Sequence, residues 1–156
     1  MQPDWDTLEW RLVPFDTGTV RSVAGALTPF IGGESLQSLA GKHERGRGYE
    51  PAGGYAGLML QLDPDEWRAH LFGDAIDELS EWAGDRVPLL GCTCGDLQCW
   101  PLLARVVQDG AGVRWDQFRQ LHRRHWEYGD FGPFVFETEA YERAVQHAIT
   151  LKCSKE

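Results

Sequence analysis

The sequence predicts a single α+β domain, residues 1–156, in which an antiparallel sheet carries helices on one face. Three observations predict it. Apolar runs of strand length recur between turn residues, most clearly Val87–Cys92 and Leu102–Gln108. Short amphipathic segments with helix-capping residues stand between and after them. Eighteen Gly and eight Pro in 156 residues place turns too close together for an all-helical bundle. A hydrophobic fraction of 42 % with seven Trp excludes a disordered chain.

In order, Thr7 to Phe15 is a first strand, ended by Pro14 and the Asp16-Thr17-Gly18 turn. Val20 to Ile31 is extended or irregular, and Gly32-Gly33 turns the chain. Glu34 to Ala40 reads as a short helix with Leu36, Leu39 and Ala40 on one face and Gly41 as its stop. Residues 41–57 hold six Gly and Pro51, which predicts a long glycine-rich loop. It is either a surface excursion or a ligand loop, and in the second case Arg47, Gly53, Gly54 and Tyr55 are the candidate binding residues.

Asp63-Pro64-Asp65-Glu66 combines an N-cap Asp, a Pro at the first helical position and an acid at the third. Trp67 and Leu71 follow at i, i+4. Gly73 closes this helix, and Asp74 is expected to cap a second one with Ile76, Leu79, Trp82 and Ala83 inward. Two strands, Val87–Cys92 and Leu102–Gln108, come next, with a hairpin turn at Asp109-Gly110-Ala111-Gly112. Val113 to Asp116 alternates as a half-buried strand, and Phe134 to Phe136 is a last short one. Thr138 is expected to cap a C-terminal helix whose stripe is Tyr141, Ala144, Val145, Ala148 and Ile149, with 150–156 as a frayed tail.

The net charge is −9, of which residues 1–86 carry −8 and residues 87–156 carry −1. Such a field repels a phosphate backbone and an anionic membrane surface, so neither nucleic acid nor membrane is an expected partner. The densest acidic stretch, 63–85, is either a solvated face or a docking surface for a protein partner. The densest basic stretch interleaves Trp115 and Phe118 with Arg114, Arg119, Arg123 and Arg124. In a negative field it reads as a strand with one buried face rather than a single-strand nucleic-acid site. The first residues lack a basic n-region and an apolar h-region, and no apolar run is long enough to span a bilayer. The expectation is a cytoplasmic protein whose thiols stay reduced.

That compartment bears on Cys92, Cys94 and Cys99, which fall within eight residues as C-x-C-x4-C. Residues two apart on an extended chain point to one face, so Cys92 and Cys94 can present both sulfurs together. A tight turn at Gly95-Asp96 can bring Cys99 back to them. Three converging thiolates supply three ligands of a structural zinc site. His122 is the preferred fourth ligand, ahead of His125 and of Cys153 near the C-terminus. The residues leave two other readings open: inert packed thiols or an incidental disulfide, and a redox or catalytic thiol activated by nearby cations.

The block Val87-Pro88-Leu89-Leu90-Gly91-Cys92-Thr93-Cys94-Gly95 with Cys99-Trp100-Pro101-Leu102-Leu103-Ala104-Arg105-Val106 resembles an uncharacterised bacterial protein family. Val113-x-Trp115-x-x-Phe118, Gly132-Pro133-Phe134-Val135-Phe136 with Tyr141, and the glycine stretch Pro51 to Leu58 are similar to it as well. The resemblance is strongest over 51–149, and Gln98 stands where family members carry Gly. It implies that the cysteine turn and the glycine loop form one unit, and it brings no activity with it.

No dinucleotide fingerprint, P-loop, nucleophile elbow or zincin motif is present in the sequence. The expected function is therefore a small, acidic, non-enzymatic binding module with a cysteine-rich hairpin that can hold zinc. The alternative is a thiol-redox or metal-dependent enzyme that uses the Cys92, Cys94 and Cys99 cluster.

Overall fold

The computed structural model describes residues 5–16, 21–94, 96–110 and 112–153, and the α+β class holds. Strands β1 (Leu8–Asp16) and β2 (Arg21–Ile31) form a long antiparallel hairpin. Its register shifts between Val13 and Phe15, where Pro14 has no N–H to give to the ladder. The predicted turn after Asp16 lies outside the described residues. Strand β3 (Glu34–Ser35) adds to β2 across the Gly32-Gly33 turn.

Helix α1 runs Leu36–Gly46, with the Ser35 hydroxyl accepting from the Ser38 amide at 3.1 Å. It passes straight through Gly41, so the expected stop there is incorrect. The good helix formers Lys42, Glu44 and Arg45 carry it on, and the side chain of Glu44 is anchored inside the fold. The glycine-rich stretch is therefore a loop only over residues 47–54. Strand β4 (Tyr55–Ala56) follows.

Helix α2 (Pro64–Leu71) has the predicted capping box. Asp63 accepts from the Glu66 amide at 2.8 Å, and Glu66 accepts from the Asp63 amide at 3.0 Å. Helix α3 is shorter than expected, Asp77–Ala83, and Ile76 rather than Asp74 stands at its N-cap. The Asp74 amide instead closes the end of α2 by donating to the Ala69 carbonyl at 2.8 Å.

The second sheet is antiparallel throughout, in the order β4, β5 (Val87–Cys92), β6 (Leu102–Gln108), β7 (Gly112–Gln120) and β8 (Phe134–Glu137). The β7 strand is longer than the predicted Val113–Asp116. A bulge keeps it going: the β6–β7 register shifts between Leu103 and Arg105, and Gln117 takes φ +51°. The inward set changes phase there, from Val113 and Trp115 to Phe118 and Gln120.

Helix α4 (Thr138–Cys153) packs on β1, β8 and α2 and runs through residues predicted to fray. Thr138 is its first helical residue, and its hydroxyl is buried without a hydrogen-bond partner among the described residues, so it is not the expected side-chain cap.

The two ladders meet at a backbone bridge. The Leu27 amide donates to the Leu58 carbonyl at 2.8 Å, and the Leu58 amide donates to the Leu27 carbonyl at 2.9 Å. One continuous core then spans both sheets and α4. At its centre Trp115 stands edge-on to Phe136, 5.1 Å between rings, and donates Nε1–H to the Tyr141 hydroxyl at 3.1 Å. Tyr141 in turn donates to the Leu71 carbonyl, which ties β7, α4 and α2 together. Among the described residues no helix is long and apolar enough to cross a membrane.

Candidate metal centre

Strand β5 delivers Cys92 as its last residue. The chain then reverses into a 3₁₀ turn, Leu97–Cys99. Asp96 caps that turn by accepting from the Gln98 amide at 3.1 Å, while the Cys99 amide donates to the Asp96 carbonyl at 3.1 Å. Gly91 lets the turn fold back over the strand, since a Cβ there would stand 3.2 Å from the Leu97 side chain. Gly95 lies outside the described residues.

The reversal brings the Sγ atoms of Cys92, Cys94 and Cys99 within 4.8 Å of one another. Cys92 is half-buried, and Cys94 and Cys99 are exposed. A tetrahedral ion about 2.3 Å from each sulfur needs sulfurs about 3.8 Å apart, so the three thiols are close enough together to hold a metal ion. Backbone amides point at the sulfurs: Cys94 N–H at Cys92 Sγ and Asp96 N–H at Cys94 Sγ, both 3.4 Å. Such donors favour the thiolate that a metal requires. The Asp96 amide, with Cys92 beside it, holds the Cys94 thiol below its ordinary range. The neighbouring Cys94 and Cys92 sulfurs push Cys99 up to about 12. The backbone amides thus favour ionisation at Cys94, while the neighbouring sulfurs disfavour it at Cys99.

His122 follows β7 and lies against this turn. Its amide donates to Gln120 Oε1 at 2.8 Å, and its Nε2–H donates to the Gln98 carbonyl, one residue before Cys99, at 2.8 Å. Its ring stacks on Trp100 with 6.5 Å between centroids. Neither of its nitrogens belongs to the group formed by the three sulfurs. His125 is exposed on the following turn. Cys153, at the end of α4, donates to the Leu62 carbonyl at 3.7 Å and is likewise outside the group.

The glycine loop is stitched to the same turn. Tyr55 pairs with Cys92 across β4 and β5, and the Thr93 amide donates to the Gly54 carbonyl at 3.4 Å. Trp100 donates Nε1–H to the Gly53 carbonyl at 2.8 Å, and the Gly53 amide donates to Glu44 Oε1 at 2.8 Å. Of the four loop residues singled out by sequence, Gly53, Gly54 and Tyr55 therefore meet at the cysteine turn. Arg47 faces elsewhere, toward Asp130 at 2.9 Å and Glu127 at 3.6 Å. Arg123 caps the assembly, its guanidinium 5.0 Å from the Trp100 ring.

No family model, curated protein or solved structure matches this chain. The chemistry of the site is therefore carried by its own atoms.

Sequence reasoning missed Glu44, Tyr128 and Gln120. Glu44 is fully buried, and its carboxylate accepts from the Tyr55 and Tyr128 hydroxyls, each at 2.6 Å. Gln120 reaches the Tyr55 hydroxyl at 3.2 Å and the Pro101 carbonyl at 3.1 Å. Burial, with the Glu44 charge beside it, raises the Tyr55 pKa; burial, with Tyr55 and Glu44 nearby, raises that of Tyr128. Both phenols therefore stay protonated as donors. A signal was present: Glu44 lies eight residues after Leu36 and four after Ala40, on the apolar stripe of α1.

Proposed function

We propose that this chain is a small, non-enzymatic, cytoplasmic binding module whose cysteine turn holds one structural zinc ion through Cys92, Cys94, Cys99 and His122. The convergence of three thiols within 4.8 Å on a capped turn carries the reading. His122 is the fourth ligand in this reading, although its ring must turn toward the sulfurs to join their group; metal-bound histidines commonly donate their second ring N–H to a carbonyl. Here Nε2–H is held by Gln98, which leaves Nδ1 with the lone pair. The ion would clamp the end of β5 to the 3₁₀ turn and thereby fix Trp100 and the glycine loop. The acidic helices supply the partner surface in this reading. Asp63, Asp65, Glu66, Asp74, Asp77 and Glu78 line an open cleft of about 490 Å³ suited to a basic segment of another protein.

One observation favours a second reading, dithiol redox chemistry: Cys94 is exposed, its thiol is lowered by the Asp96 amide, and two more thiols stand beside it. Such chemistry would oxidise two of these thiols to a disulfide while reducing a disulfide substrate to two thiols.

Cobalt(II) titration separates them. The zinc reading predicts one tetrahedral, thiolate-rich cobalt site per chain, displaced by zinc, with a changed visible spectrum in His122→Ala. An octahedral spectrum, or none, contradicts it. An unaltered spectrum in His122→Ala assigns the fourth position to another ligand.

A further inference from the structure

The outer face of the five-stranded sheet gathers four guanidinium groups in a chain whose net charge is −9. Arg105 on β6 and Arg114 on β7 share the Asp116 carboxylate, at 3.4 and 2.8 Å, and Arg114 also faces Asp109 at 3.8 Å. Arg86, just before β5, is worse supplied. Its side chain is 13 % exposed, and its ion-pair partner among the described residues, Asp85, is 3.5 Å away and largely in solvent. Burial, with Arg119 and Arg105 close by, disfavours its charge. Four arginines, Arg86, Arg105, Arg114 and Arg119, thus stand against three carboxylates, Asp85, Asp109 and Asp116, and the metal site uses none of the four.

The guanidinium of Arg86 is held in a fixed orientation. Its Nε donates to the Gln117 carbonyl at 2.7 Å, and its Nη2 faces Gln117 Oε1 at 3.4 Å. Gln117 is the residue with φ +51°, a left-handed conformation unfavourable for a side chain with a Cβ. Backbone strain of this kind is retained where the surroundings over-determine it, and it concentrates at binding sites. Beside it lies a cavity of about 470 Å³, lined by Arg86, Arg114, Phe118, Tyr128 and Phe131, with the Asp116 carboxylate, already paired with Arg105 and Arg114, also on its wall. That volume falls within the roughly 300–1,000 Å³ of ordinary small-molecule sites.

We propose that this cavity binds a small ligand in which one oxyanion, a carboxylate or a phosphate, is carried on a flat apolar ring. Arg86 and Arg114 meet the oxyanion with charge-assisted N–H donors, and Phe118 and Phe131 face the ring. The surplus of arginine over carboxylate is what the anion neutralises. The averaged negative field still turns away a polyanion, because many phosphates would lie over acidic surface. A single oxyanion sits within a Debye length of the arginines, where their field dominates.

The test is calorimetric titration of the full chain with phenyl phosphate, benzoate, inorganic phosphate and benzyl alcohol. The expected result is saturable one-to-one binding of phenyl phosphate, benzoate or both, each tighter than inorganic phosphate or benzyl alcohol. The tighter of the two identifies the oxyanion. Arg86→Gln is expected to weaken binding about tenfold or more. Arg68→Gln, which removes an arginine paired with Glu142 on α2 and α4, is expected to leave it unchanged. Amide chemical shifts of the unsubstituted protein keep the test decisive if Arg86→Gln does not fold, with ligand-induced changes expected at Gln117, Phe118, Gly129 and Phe131. No saturable binding, equal losses in the two variants, or shift changes centred elsewhere would overturn the proposal.

Discussion

Glu44 brings a carboxyl group into the core and meets it with three donors: two phenol hydroxyls and the Gly53 amide. The carboxylate is an acceptor on both oxygens, and an amide would turn one of them into a donor facing a hydroxyl or an N–H. Glu44→Gln is therefore expected to destabilise the fold by about 1–3 kcal/mol, read as a lower urea midpoint with unchanged slope. An unchanged midpoint would show that the network contributes nothing net. His70 gives a second residue-scale outcome. It is fully buried, its Nε2–H donates to the Pro88 carbonyl at 2.8 Å, and its Nδ1 has no partner among the described residues. Burial lowers its pKa from 6.5 to about 4, only partly offset by the Pro88 bond. A depressed folded-state pKa means that stability is complete above about 6.5 and is lost as pH falls toward 4. Between pH 7 and pH 5 this histidine alone is expected to cost about 2 kcal/mol. Urea unfolding at both values should show that loss, and His70→Leu should remove it. These two residues mark what the sequence left open: a polar residue on an apolar stripe signals burial but does not reveal its partners.

At the scale of elements, local signals were legible where both partners lie close in sequence. The Asp63–Glu66 capping box, the β5 and β6 strands, the reversal between Cys94 and Cys99 and the stripe of α4 all follow from short-range spacing. Gly41 misled because its helix is held by a long-range contact, the burial of Glu44, which outweighs the intrinsic cost of glycine of about 1 kcal/mol. The division of the strands into two ladders was not legible, since the joint is a backbone bridge between Leu27 and Leu58. Gly57 makes that joint possible. A Cβ there would stand 2.3 Å from Thr28 Oγ1 and 2.8 Å from the Leu27 carbonyl. Gly57→Ala is thus expected to push the ladders apart and to destabilise the protein by about 1–3 kcal/mol or more. Gly46→Ala, where a Cβ meets nothing within 4 Å, is the matched control for thermal denaturation. Similar melting temperatures for the two variants would contradict a close joint at Gly57.

Over the whole molecule, a single core couples the cysteine turn to distant parts of the chain. Trp100 touches Tyr55, His122 and Trp126, and the Tyr55 hydroxyl leads to Glu44 and α1. A metal bound at Cys92, Cys94 and Cys99 would restrain the end of β5, the 3₁₀ turn and, through Trp100, the glycine loop at once. The sequence placed the three thiols and the turn together, while their link to the loop needed the β4–β5 pairing of Tyr55 with Cys92. Because an ion bound to the native state alone stabilises it, chelation is expected to lower the melting temperature, and zinc to restore it.

The most direct measurement is elemental analysis of protein purified without chelator or a histidine tag, with a parallel count of reactive thiols. One zinc per chain is expected, with the three clustered thiols protected until a chelator is added. No bound metal, with Cys92, Cys94 and Cys99 all freely reactive, would contradict it.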